Sequence, residues 1–149
     1  MKTFTDRKND KWEISLTLGA IKKVQDQTNI DLLNIESDEC NTLSEFTANP
    51  FKLAEVLSVL LEDQLTAAGV EGVLDRMDGE TLCRAQEAFY AELTDFFVGM
   101  GRAERAKMVM KHQQMITRAI EMVGAKVEAI DTDEELSGLL SGDSPDTSA

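Results

Sequence analysis

Histidine and cysteine, which are the usual zinc ligands and common catalytic groups, are scarce in this sequence. His112 is the only histidine and stands between polar neighbours in a helical pattern, so we expect a packed or solvent-facing ring rather than a ligand. The two cysteines, Cys40 and Cys83, lie far apart and form no C-x-x-C motif. The sequence therefore predicts no metal site, and two unpaired thiols in a reducing compartment.

An acidic segment near the C-terminus comes nearest to a metal-binding motif. Asp131, Asp133 and Glu135 alternate as in a calcium loop, but Leu136 occupies the place of the glycine that the sharp turn requires. The sequence also lacks the glycine-rich motifs for phosphates or dinucleotides and the G-x-S-x-G motif of serine hydrolases. No group of residues combines a base, a nucleophile and an electrophile, so we expect a non-enzyme without a cofactor.

The charge of the chain narrows the classes of partner. The net charge is −13; residues 31–100 carry fifteen acidic and three basic groups, whereas residues 101–127 carry six basic and two acidic ones. Such an acidic chain disfavours nucleic-acid binding, and its charge serves either solubility or contact with a basic partner. No apolar run approaches the ~20 residues that span a bilayer, and the N-terminus lacks the apolar segment of a secretory signal. We therefore expect a cytoplasmic protein that binds no membrane.

The elements predicted around these residues begin with a short hairpin. Trp12, Ile14 and Leu16 alternate with polar residues, which is the period of a half-buried strand. Together with a strand around Phe4 they predict a β-hairpin within residues 1–16. Because an isolated hairpin is marginally stable in water, we expect it to pack on helices.

Helix start and stop signals divide most of the remaining chain. Thr17 can cap a first helix, and Asp38 or Asn41 can cap a short second one. Pro50 suits the first turn of a third helix, which Gly69 ends. A central helix over about residues 79–97 holds half of the phenylalanines and the only tyrosine. From the apolar faces of the third and central helices we expect buried side chains at Leu57, Leu60, Phe89, Leu93 and Phe96.

A long helix predicted over about residues 102–128 carries the residues that we expect to bind a partner. Apolar residues recur every seven positions, the spacing of a coiled-coil seam, and methionines repeat at the same interval beside it. The seam packs either on the chain's own domain, with the methionines as core filler, or on a second copy or another protein. The candidate partner-binding residues are Val109, Met115, Ile116, Ile120, Met122, Val123 and Val127.

The predicted fold class is therefore mainly α, with an N-terminal β-hairpin packed on about five helices, the last of them long. Residues 1–130 form one domain in this interpretation. Residues 131–149 form an acidic tail, with a Gly, Ser, Asp and Pro composition after about Ser141, and we expect it to be mostly disordered.

Three segments of the chain stand out together. They are residues 12–24 (WEISLTLGAIKKV) leading into 29–33 (NIDLL), residues 49–60 (NPFKLAEVLSVL), and residues 77–97, which begin with MDGE and end with DFF. In this order they resemble small acidic proteins of phage and prophage tail gene clusters, of the tail assembly chaperone type. The resemblance covers roughly residues 12–125.

The resemblance implies a non-catalytic tail assembly chaperone. Such a protein binds the tape measure protein, a long helical rod, and assists the assembly of tail tube subunits around it, in the host cytoplasm. The partners implied are the tape measure protein, the tail tube protein or both, and self-association fits as well. Two alternatives stay open: a virion structural protein for tail completion or connection, and an acidic inhibitor that mimics DNA on a host protein.

Overall fold

The computed structural model describes residues 1–35 and 42–128, and of residues 125–128 the backbone only. The chain forms β1 (Lys2–Thr5), β2 (Lys11–Ile14), α1 (Leu18–Thr28), α2 (Thr42–Ala48), α3 (Pro50–Leu60), α4 (Glu62–Ala67), a 3-10 helix (Leu74–Arg76), α5 (Gly79–Gly99) and α6 (Ala103–Glu128). This order confirms the mainly helical fold with an N-terminal hairpin and a long last helix. The predicted tail and the predicted caps Asp38 and Asn41 lie outside the described residues.

Strands β1 and β2 form a two-stranded antiparallel sheet in which Phe4 pairs with Trp12. The Asp6 N–H donates to the Asp10 carbonyl, and residues 7–9 form a three-residue loop between these two residues. The N–H of Asn9 donates to the carbonyl of Asp6 over 3.0 Å, and Asn9 itself adopts a left-handed backbone with φ of 67°. Asparagine tolerates this conformation better than most residues, and a type I turn followed by a left-handed residue suits the strand twist. The local sequence therefore sets the register of the hairpin.

The carboxylate of Asp6 is buried beneath this loop. One oxygen accepts the main-chain N–H groups of Lys8 and Asp10 at 2.8 and 3.0 Å, and the other accepts Trp12 Nε1 at 2.9 Å and an Arg76 guanidinium nitrogen at 3.0 Å. The Arg76 guanidinium also contacts the carboxylate of Asp10. These bonds tie the hairpin to the 3-10 helix, 70 residues away in sequence.

The helices begin and end where the sequence places caps. The side chain of Thr17 accepts from the Ala20 N–H at the start of α1, as predicted. The side chain of Asn49, which precedes Pro50, accepts from the Phe51 N–H at the start of α3. The side chain of Asp78 accepts from the Thr81 N–H at the start of α5. Gly69 follows α4 with φ of 71°, a left-handed geometry in which glycine carries no steric penalty.

The core lies where β1 packs on α5 and where α1 and α2 pack on α3. The Phe46 and Phe89 rings meet edge to face, with centroids 5.8 Å apart. Of the five predicted core residues, Leu57, Phe89 and Leu93 are fully buried. The prediction was wrong for Leu60 and Phe96, which are half-buried. In both places the next residue, Leu61 or Phe97, is the fully buried one, so the inward side of the chain lies one residue further along than predicted.

The structure also corrects two predicted elements. The third helix divides at Leu61, whose backbone leaves the helical region (φ −101°, ψ 5°), so α3 and α4 are separate. For residues 70–77 the spacing of Val73, Leu74 and Met77 predicts a short helix with these side chains inward, but only the three-residue 3-10 helix forms there. Contacts along the chain group into an N-terminal unit, Met1–Gln113, and a C-terminal unit, Gln114–Ala149, with the boundary inside α6.

Truncating Phe89 tests the core. Because its side chain is completely buried, Phe89→Ala should lower the free energy of unfolding by about 3–5 kcal/mol, measured by urea denaturation at neutral pH. Phe51→Ala is the matched control, since 63% of Phe51 is exposed, and it should change stability by less than about 0.5 kcal/mol. Equal losses in the two variants would contradict this assignment of the core.

The buried carboxylate of Asp6 gives stability a specific pH dependence. Burial raises its pKa, but hydrogen bonds from Trp12, Lys8, Asp10 and Arg76 outweigh burial and hold the pKa below its usual value. A carboxylate with a lowered folded-state pKa contributes fully above its unfolded pKa of about 3.9, and this contribution is lost as pH falls through the folded value.

Replacing Asp6 with Asn tests that dependence. Asp6→Asn should lower the free energy of unfolding by at least about 2 kcal/mol at pH 7, because the NH2 group of Asn replaces an oxygen that accepts two hydrogen bonds, and because Arg76 loses one of its two carboxylate partners. The difference from the original chain should shrink as pH falls below about 4, since protonation removes the same charge. Asp10→Asn should lower the free energy of unfolding less at neutral pH, because the Asp10 side chain is 53% exposed. If the difference in free energy of unfolding between Asp6→Asn and the original chain stays constant with pH, the pKa of Asp6 is not lowered by folding.

Candidate functional site

The long helix α6 carries the predicted partner-binding residues, and its first half belongs to the N-terminal unit. Gly101, with φ of 76°, turns the chain between α5 and α6, and the Arg102 N–H donates back to the Phe97 carbonyl over 2.8 Å. Ala106 and Val109 then point into the core and are 3% and 0% exposed. Val109, the first of the seven candidates, is therefore a core residue that no partner can reach in this structure.

His112 lies in the same half of α6 and is partly buried. Its Nε2 is 2.9 Å from the Thr47 hydroxyl, and its ring meets Tyr90 edge to face at 5.5 Å. Burial lowers the pKa of His112, and a hydrogen bond to the Leu43 main chain partly opposes this effect. The neutral form of the ring is thus favoured, and the ring joins α2, α5 and α6, so of the two positions expected for it, packed or solvent-facing, it takes the packed one.

The C-terminal unit contains the other six candidates. Met115, Ile120, Met122 and Val123 are 69%, 48%, 66% and 62% exposed, whereas Ile116 is half-buried. Val127 lies in α6, but its side chain is outside the described residues. Spacings of three, four and seven put these residues on one side of the helix.

The opposite side of this helical segment is polar. It carries Gln114, Arg118 and Glu121, again spaced by four and three residues. A helix with one exposed apolar side and one charged side can bury its apolar side against another amphipathic helix. The sequence-predicted residues thus divide into one core residue and an apolar row in the C-terminal unit, from Met115 to Val123.

Metal sites, reactive thiols and membrane-spanning helices each have structural requirements with which the described residues can be compared. Within residues 1–35 and 42–128, no group of three or more His, Cys, Asp or Glu side chains could hold a metal ion. Cys83 is a half-buried free thiol on α5. Among the helices that the structure describes, none has the length and apolar content needed to cross a membrane.

Sequence reasoning missed two buried carboxylates in the N-terminal unit. Asp6 lies beneath the hairpin loop, and Glu92 of α5 accepts the Leu16 N–H at 2.9 Å and faces the Met1 ammonium at 2.7 Å. For Asp6 a signal existed, because an Asp two residues before a loop N–H often closes an Asx turn. For Glu92 no local signal exists, since its partners lie far away in sequence. Both carboxylates hold the hairpin in place.

The pKa of His112 tests the packing of α6 directly, because no other histidine contributes to the signal. An NMR titration of the ring protons should give a pKa below the ordinary 6.5. Since the folded pKa is lowered, the neutral ring contributes stability above pH 6.5 that is lost as pH falls through the folded value. A measured pKa at or above 6.5 would show that the ring is solvated.

The comparisons with known proteins add no family to these observations. A scan against protein-family models finds no match, and searches of curated proteins and of solved structures find no similar protein.

Proposed function

We propose that this protein is a non-catalytic phage tail assembly chaperone, which binds the tape measure protein and assists assembly of the tail tube. The observation that carries the proposal is the exposed apolar row of α6, whose members Met115, Met122 and Val123 are each more than 60% exposed. Large apolar side chains exposed side by side mark an interaction surface. The resemblance of the sequence to tail assembly chaperones supplies the identity of the partner.

The chemistry of the row suits a helical partner. A helix that packs on another helix presents anchors at spacings of three, four and seven residues, and this is the spacing of the row. Two of its side chains are methionines, which are unbranched and polarizable and therefore adapt to different surfaces. A chaperone that covers successive stretches of a long helical rod needs this tolerance.

The charge of the chain supports the same function. A tape measure helix exposes apolar stripes before the tube assembles around it and is then prone to aggregate. A partner with a net charge of −13 keeps such a complex soluble through repulsion between complexes. The apolar row would supply the binding energy and the acidic remainder the solubility.

Two substitutions within the row test the proposal. In the double variant Ile120→Asp and Val123→Asp both side chains are already exposed, so the protein should stay folded. Its affinity for the tape measure protein of the same gene cluster, measured after co-expression and purification, should fall at least about tenfold. Circular dichroism and thermal melting check the fold.

The matched control places the same charges elsewhere. Leu18→Asp with Val98→Asp changes two side chains that are 63% and 61% exposed and lie outside the row. This variant should bind tape measure protein like the original chain. If both double variants bind equally well, the row is not the binding surface. If the protein is found in purified virions at fixed copy number, it is a structural part and the chaperone proposal fails.

A further inference from the structure

The two outer edges of the β-hairpin are not equivalent. In an antiparallel pair, hydrogen-bonded and non-hydrogen-bonded residue pairs alternate. The Asp6 N–H donates to the Asp10 carbonyl at 2.9 Å, so that pair is hydrogen-bonded. The pair of Thr3 and Glu13 lies an odd number of steps along the ladder from the pair of Asp6 and Asp10, so it is a non-hydrogen-bonded pair. Their N–H and C=O groups therefore point away from the hairpin, one set at each edge.

The edge formed by β2 is already covered. The Glu13 N–H donates to Oε1 of Gln64, and Nε2 of Gln64 donates back to the Glu13 carbonyl, both at 2.8 Å. The side-chain amide of Gln64 thus makes the two bonds that a third strand would make. It also confirms the alternation deduced above, because both groups of Glu13 point outward.

The edge formed by β1 is only partly covered. Nε of Arg84 donates to the Thr5 carbonyl at 3.1 Å, which occupies one acceptor. Within the part of the chain that the structure describes, the Thr3 N–H, the Thr3 carbonyl and the Thr5 N–H have no hydrogen-bond partner. An open edge of this kind is a template for pairing with another extended chain.

A groove of about 720 Å³ runs beside this open edge. Its lining includes β1 itself, Gln113 of α6, and Ala88 and Ala91 of α5. The two alanines are small, and they leave space where larger side chains of α5 would fill the volume against the strand. The groove is open to solvent along β1, so an extended segment can enter it from the side.

The charge of the groove selects the partner. It is lined by Lys2, Lys11 and Arg84 against a single acidic residue, Glu87, although the chain as a whole is strongly acidic. Lys2 is paired with Asp95 at 2.9 Å, and Arg84 with the exposed carboxylate of Glu80 at 3.6 Å, so among the described residues Lys11 is the groove cation without an ion pair. The β1 strand of a second copy carries a lysine and no carboxylate, so it does not neutralise Lys11. An acidic segment of another protein complements Lys11 and can also pair with Arg84.

We propose that β1 binds an extended acidic segment of another protein by β-strand addition. The main chain of the segment bonds to the free groups of Thr3, small apolar side chains lie over Ala88 and Ala91, and carboxylates lie beside Lys11 and Arg84. This surface belongs to the N-terminal unit and is independent of the apolar row of α6. The proposal therefore stands or falls separately from the tape measure proposal.

The main-chain bond is tested by removing one donor. Thr3→Pro deletes an N–H that takes no part in the β1–β2 ladder, whereas Thr3→Ala keeps it. The probe is the peptide acetyl-EVEVEVT-amide, titrated into ¹⁵N-labelled full-length protein and followed by NMR. The original chain and Thr3→Ala should bind it with shifts centred on β1, and Thr3→Pro should bind at least about tenfold more weakly.

The charge is tested by a second, independent pair of variants. Lys11→Glu reverses a charge in the groove, and Lys8→Glu makes the same change in the hairpin loop outside it. Lys11→Glu should weaken peptide binding at least about fivefold, with Lys8→Glu close to the original chain. The basic peptide acetyl-KVKVKVT-amide should bind more weakly than the acidic one.

Several outcomes would overturn the proposal. They are no binding of the acidic peptide at about 1 mM, equal binding by Thr3→Pro and Thr3→Ala, and equal binding by the two lysine variants. Self-association of the original chain in sedimentation experiments, abolished by Thr3→Pro alone, would identify a second copy as the occupant instead. If Thr3→Pro does not fold, the proposal is tested by comparing Lys11→Glu with Lys8→Glu and the acidic peptide with the basic one.

Discussion

The buried carboxylate of Asp6 is the interaction on which the N-terminal unit most depends. A charge without solvent is costly unless donors surround it, and Asp6 receives four of them from the loop, from Trp12 and from Arg76. The same four bonds close the loop, orient the indole ring and attach the 3-10 helix. A two-stranded hairpin is marginal by itself, so these connections and its contacts with α5 make it a fixed part of the fold.

A fixed hairpin has consequences for binding. The side-chain amide of Gln64 covers one edge of the hairpin. The other edge faces a groove that is open because the residues of α5 lining it include the small side chains of Ala88 and Ala91. Main-chain pairing along that edge is directional and favours an extended chain, whereas the apolar row of α6 is non-directional and favours a helix. The two surfaces thus suit partners of different secondary structure, and the basic groove and the neutral row also differ in charge.

Much of the fold could be predicted because its signals are local. Thr17, Asn49 and Asp78 cap helices since their short polar side chains reach N–H groups two or three residues away. Alternation around Trp12 indicated a strand, and spacings of three and four indicated helices with apolar faces. The sequence alone also determined that Met115 to Val123 form one apolar side of a helix, because helical periodicity does not depend on the rest of the chain.

Tertiary structure decided which of these faces are covered. Seven-residue spacing made Val109 and Val123 equivalent, yet one is fully buried and the other 62% exposed, because burial depends on neighbours from distant segments. Bonds between Asp6 and Arg76, Leu16 and Glu92, and Glu13 and Gln64 join residues 51 to 76 positions apart. No local pattern encodes such pairs, so the buried carboxylates, the covered edge of β2 and the open edge of β1 emerged only when the chain was folded.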